Sequence, residues 1–124
     1  MASPTSRSLE HARKSGALAQ VVERWNQHAR VRVDLFGVID LVVIDGNSIL
    51  GVQACAGSSH AARRTKMLDA EHIVSTGLWL ASGGRLEIWS WAKQGPRGKA
   101  KRWTLRVEAI TAEMLRLAAQ ERAA

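Results

Sequence analysis

DLFGVIDLVVIDGNSILGVQAC, residues Asp34 to Cys55, is the stretch on which the fold turns. It holds two nearly continuous apolar runs, Val38–Ile44 and Ile49–Ala54, separated by Asp45-Gly46-Asn47-Ser48. Branched residues dominate both runs, so each is expected to be a buried β-strand. Gly-Asn suits a two-residue hairpin loop because both residues tolerate φ > 0. With Gly46 and Asn47 as the loop, Asp45 faces Ser48, Ile44 faces Ile49, and counting back sets Asp40 opposite Gln53. Cross-strand Cβ atoms lie about 4.5–5.5 Å apart, so a carboxylate and an amide oxygen converge from the middle of two hydrophobic strands. A buried, unpaired Asp is costly and needs a partner. A hard metal ion with oxygen ligands is one such partner. A set of hydrogen bonds to backbone groups at a strand edge is the plainer one.

On the N-terminal side, Ser3 as N-cap and Pro4 at the first position start a helix that runs through Ser8–Lys14 and stops at Gly16. Ala17–Trp25 is read as a strand, although Leu18, Val21, Val22 and Trp25 also fit a helical spacing. Asn26–Arg30 is a connection. Val31–Phe36 is extended and leads through Gly37, a bulge or bend, into the central strand.

On the C-terminal side, Ala56–Ser59 is a turn, and His60–Leu80 reads as a helix broken near Gly77. Arg63, Arg64 and Lys66 fall in its first turns, where the helix dipole disfavours cations. Arg85–Ala92 alternates: Leu86, Ile88, Ser90 and Ala92 face one way, Glu87, Trp89 and Trp91 the other. Trp103–Ile110 completes a hairpin with it. Five of the ten residues in the Lys93–Arg102 connection are basic: Lys93, Arg97, Lys99, Lys101 and Arg102. Thr111 caps a last helix, Ala112–Arg122, with Met114, Leu117 and Ala118 as its buried stripe.

A chain of 124 residues implies one domain, 1–124, with a core of its own. The formal net charge of +7 favours an anionic partner, nucleic acid being the commonest, over a basic surface with no special partner. One cysteine forms no internal disulfide and fits a reducing compartment. No apolar run approaches the roughly 20 residues of a membrane span. The N-terminus carries no apolar segment of a secretory signal. A cytoplasmic protein with no membrane partner is the expectation. The four histidines have no zinc-site spacing.

The order helix, strand, IDLVVI, hairpin, GVQAC, helix resembles the PD-(D/E)XK nuclease superfamily. It is similar to small Holliday-junction resolvases and to phage-borne nucleases of that fold, and a bacterial or phage-infected cell is the setting this implies. The resemblance covers roughly Leu9 to Trp91. It implies an α/β, restriction-endonuclease-like core, a mixed central sheet flanked by helices. It also implies a Mg²⁺- or Mn²⁺-dependent deoxyribonuclease. In that family an Asp precedes a (D/E)-x-K triplet on the next strand. Asp40 takes the first position and Gln53-Ala54-Cys55 the place of the triplet. Gln keeps an oxygen but loses a charge, and Cys removes the usual cation. The implied metal ligands are Asp40, Gln53 and, from the first helix, Glu10; Glu23 competes with Glu10. Asp34 is a further acid close in sequence, for which a cap on the strand entry is reading enough.

Phosphodiester hydrolysis needs a metal to polarise the phosphate and supply a hydroxide, and a nearby cation to stabilise developing charge. Lys66, Arg63 or Arg64 can reach back from the second helix to replace the missing lysine, which makes Asp40, Gln53 and Lys66 the catalytic set. Arg63, Arg64, Lys93, Arg97, Lys99, Lys101 and Arg102 are the expected DNA contacts. The Gln-x-Cys triplet equally suits a catalytically inactive DNA- or junction-binding protein of the same fold. A structural or assembly protein with a basic surface is a third class. Cutting both strands of a duplex would favour a homodimer.

Overall fold

In a computed structural model, residues 2–124 are described. The expected α/β architecture is present: a five-stranded mixed sheet with helices on both faces. Helix α1 (Pro4–Lys14) starts as expected. The Ser3 hydroxyl accepts the Ser6 N–H at 3.1 Å, and Gly16 closes the helix at φ +91°. The sheet consists of β1 (Leu18–Val21), β4 (Leu41–Ile44), β5 (Ile49–Ala56), β6 (Arg85–Gln94) and β7 (Arg102–Ala109), in that spatial order. Only β5 and β6 run parallel. The two are joined over the top by α2 (His60–Leu68) and α3 (Ile73–Ala81). The expected register of the central hairpin is found, with Ile44 opposite Ile49 and Leu41 opposite Val52.

Two apolar cores lie on the two faces. Ala12 of α1 packs with Leu41, Val43, Leu50, Val52, Ala54 and Trp89. On the other face Ile39, Cys55, Met67, Leu86, Ile88 and Ile110 pack together, with Trp79 of α3 and Met114 and Leu115 of α4 (Ala112–Ala123) against them. Leu41 and Val52 are fully enclosed, which accounts for the unbroken apolar runs of β4 and β5.

Four local expectations are corrected. The strand expected over Ala17–Trp25 ends at Val21. Its continuation forms β2 (Arg24–Asn26), which pairs with β3 (Val31–Val33) in a separate two-stranded ribbon. Second, Val31–Phe36 does not run straight into the central strand. Phe36 and Gly37, at φ +56° and +79°, turn the chain so that Leu35 bridges Ile39. Third, the long helix breaks at Asp69–His72, not at Gly77. The Asp69 carboxylate accepts the His72 N–H at 2.9 Å, a local bond that competes with helix continuation. Gly77 stays helical, and a Cβ there would come within 3.2 Å of Leu115, so the missing side chain makes room for α4. Last, α4 turns Met114, Leu115 and Ala118, each half-buried, inward, whereas Leu117 is exposed. Among the described residues no helix is long and apolar enough to cross a membrane.

Candidate functional site

Three successive chain reversals place four polar side chains next to one another. The ribbon register pairs Arg24 with Val33, and one step further toward its base brings Glu23 opposite Asp34. The Phe36-Gly37 turn pairs Leu35 with Ile39, and one step further brings Asp34 opposite Asp40. The central hairpin then brings Asp40 opposite Gln53. Backbone bonds fix the cluster. The Asp40 carbonyl accepts the N–H groups of Val22 at 2.8 Å and Glu23 at 3.3 Å, and the Asp40 N–H donates to Val52 at 2.8 Å. Carboxylate oxygens of Glu23, Asp34 and Asp40 lie within 4.8 Å of one another.

Each acid is held differently. Asp40, almost wholly buried, accepts the Ala54 N–H at 2.9 Å and the Gln53 side-chain N–H at 2.7 Å on one oxygen. Burial, with the hydrogen bond and charge of Asp34, pushes its carboxyl up to about 8. For Asp34, burial acts upward, but hydrogen bonds from Asp40, Lys66 and Gln53 outweigh it and hold the group below its ordinary value. The Lys66 ammonium lies 3.0 Å from Asp34 Oδ2. Glu23 pairs with Arg32 at 3.1 Å. The pair Asp34–Asp40 therefore holds one proton between them at neutral pH.

The acids open into a cleft of about 580 Å³, also lined by Ser3, Pro4 and Thr5, by Arg32, and by Arg63 and Lys66. Lys66 reaches into this cleft from α2. Arg63 lines the same cleft and makes no salt bridge among the described residues. Cys55 is buried against the second core and burial pushes its thiol up, so it remains a neutral apolar group.

Other expected site residues fall elsewhere. Glu10 lies on the exposed side of α1 and pairs with Lys14 at 2.8 Å, outside the acidic cluster, whose third member is Glu23. Gln53 does meet Asp40, but through its nitrogen. Its Nε2 also lies 3.3 Å from Asp34, while its oxygen faces Lys66 at 3.5 Å. Arg64 is committed to Glu108, with Nε 2.8 Å and 3.0 Å from its two oxygens, and buried His60 joins the same carboxylate at 2.8 Å. Its role is to tie α2 to β7.

Lys93, Arg97, Lys99, Lys101 and Arg102 are all exposed at the tip of the β6–β7 hairpin. That hairpin runs past the last β5–β6 pair, Ala56 with Trp91, as far as Gln94 with Arg102. It projects from the same end of the sheet as the cleft, since Asp40 lies beside the C-terminal half of β5. The tryptophans of this hairpin are largely engaged. Trp91 donates to Ser8 Oγ at 2.9 Å, Trp89 to Glu87 at 2.9 Å, and Trp103 carries the Arg7 guanidinium 3.7 Å above its ring.

No protein-family model, curated protein or solved structure matches this chain.

Proposed function

We propose that the chain is a metal-dependent DNA endonuclease of PD-(D/E)XK type, with Glu23, Asp34 and Asp40 as its acids and Lys66 as its cation. The observation that carries this reading is the convergence of three carboxylates within 4.8 Å of one another, in a cleft that also presents Lys66 and Arg63. The donor set fits a hard divalent cation. It consists of carboxylate oxygens, and one of them keeps a proton through burial together with the hydrogen bond and charge of Asp34 beside it. Glu23, Asp34 and Asp40 would hold Mg²⁺ or Mn²⁺. Such an ion polarises a phosphate oxygen and lowers the pKa of a water.

The protein's own groups do the rest. The Ala54 N–H fixes the orientation of Asp40 from a rigid strand. Asp34 and Gln53 hold the Lys66 ammonium at the floor of the cleft, where it can offset negative charge developing on the phosphate. Arg63, without a carboxylate partner among the described residues, is placed to hold a neighbouring phosphate. The basic β6–β7 tip adds backbone contacts that carry no sequence information.

One observation favours the second reading, a DNA-binding protein without catalysis. The Gln53 amide donates to both Asp34 and Asp40, so part of the cluster's charge is already met by a neutral donor. Cleavage of plasmid and branched DNA with Mg²⁺ or Mn²⁺, lost in Asp40→Asn, separates the two. The first reading requires cutting by the unmodified protein, the second none.

A further inference from the structure

The β2–β3 ribbon stands apart from the rest of the fold. Its two strands contact each other, but neither packs broadly against the main sheet or any helix. An isolated two-stranded ribbon is marginally stable in water, so a ribbon without a covering layer points to a partner. Its surface says what kind. Trp25 is 59% and Val31 50% exposed, and Arg24, Arg30 and Arg32 all reach solvent. From Arg24 to Val33 there is no acidic residue. Glu23 and Asp34 stand at its base, and Glu23 already pairs with Arg32. The tip is shaped by Asn26, whose side-chain oxygen accepts the N–H groups of His28 at 3.0 Å and Ala29 at 3.1 Å.

We propose that this ribbon is a groove-reading arm that enters the major groove of duplex DNA beside the acidic cleft. The inference rests on the nuclease reading for its choice of ligand and extends it by naming the form of DNA. Three features select a duplex groove. A major groove about 12 Å wide admits a two-stranded β-ribbon without deforming the duplex, whereas minor-groove entry goes with kinking or bending of the DNA. Arginine forks on a ribbon can reach both phosphates and guanine edges. The ribbon also grows directly from two of the three clustered acids, so an arm in the groove holds the flanking backbone at the cleft mouth.

The test is DNA binding in EDTA, with no cleavage step involved. Labelled duplex and oligothymidylate are titrated against the unmodified protein, Arg24→Ala/Arg30→Ala and Trp25→Ala. Arg32 is left intact because it belongs to the cleft. Circular dichroism checks that each variant is folded. The arm predicts that the double variant weakens duplex binding on the order of tenfold or more. It also predicts a salt slope lower by up to about 1.8 for two lost phosphate contacts. Oligothymidylate binding by the double variant should change little. A major-groove ligand such as methyl green should compete with the protein, and a minor-groove ligand such as netropsin should not.

Unchanged duplex affinity in the double variant, equal loss on both DNA forms, or competition by netropsin alone overturns the arm. Metal-dependent cleavage with normal binding by the double variant would leave the nuclease reading standing and remove the arm. Arginine-dependent duplex binding by a protein that never cuts would do the reverse.

Discussion

The shared proton of Asp34 and Asp40 gives a quantitative handle on the cluster. Asp40 is pushed up to about 8, so at pH 7 only about one molecule in ten has it ionised. A divalent cation needs the ionised carboxylate, and binding must expel the proton. Titration calorimetry with Mn²⁺ in buffers of different ionisation enthalpy should therefore count about 0.9 proton released per ion at pH 7, falling toward zero by about pH 9. Apparent affinity should rise about tenfold per pH unit up to about pH 8 and then level off. Asp40→Asn should bind weakly and show neither the release nor the slope.

Stability follows with a definite sign. The folded value of Asp40 lies above the ordinary 3.8, so its contribution is fully present below about 3.8 and is lost as pH rises through about 8. The metal-free protein should lose up to about 1.4 kcal/mol per pH unit across that window relative to Asp40→Asn. Proton release near zero at pH 7, or an affinity flat between about pH 6 and pH 8, would refute the shared-proton cluster.

Lys66→Ala removes the one ammonium bonded to Asp34, and turnover should fall at least about tenfold with DNA affinity nearly unchanged, measured by single-turnover cleavage and anisotropy. Gly37→Ala should cost about 1–3 kcal/mol in denaturant unfolding, because Gly37 sits at φ +79° and a Cβ would come within 3.0 Å of His72. The same change disturbs the turn that joins Asp34 to Asp40, so metal affinity should fall with it. Neutralising Lys99, Lys101 and Arg102 together should lower the salt slope of duplex binding by up to about 2.7, at about 0.9 per phosphate contact.

Much of the fold was legible in the sequence. Unbroken branched runs marked β4 and β5, Gly46-Asn47 set their register, and Ser3-Pro4 marked the start of α1. That register was enough to place Gln53 against Asp40. What the sequence hid were the reversals on the other side of Asp40. Val31–Phe36 reads as an extended run, and Phe36 gives no hint of φ +56°. The signal was present in weak form: Asp34 and Asp40 stand at equal distance on either side of Gly37, the spacing of a tight hairpin about that glycine. Glu10 was favoured as the third acid through family resemblance, yet its neighbour Lys14 at i+4 already offered a simpler partner. The orientation of Gln53 depends on Lys66 and Asp34, residues brought in by tertiary packing, and no local pattern encodes it.

Cleavage is the measurement that bears most directly on the central claim. Supercoiled plasmid and a four-way junction are incubated with the unmodified protein and with Asp40→Asn, in Mg²⁺, in Mn²⁺ and in EDTA. Endonuclease function at the Glu23, Asp34 and Asp40 cluster predicts cutting by the unmodified protein with metal only. It predicts none by Asp40→Asn, although both proteins bind the DNA equally. No cutting of either DNA under any metal, or equal cutting by Asp40→Asn, would contradict it.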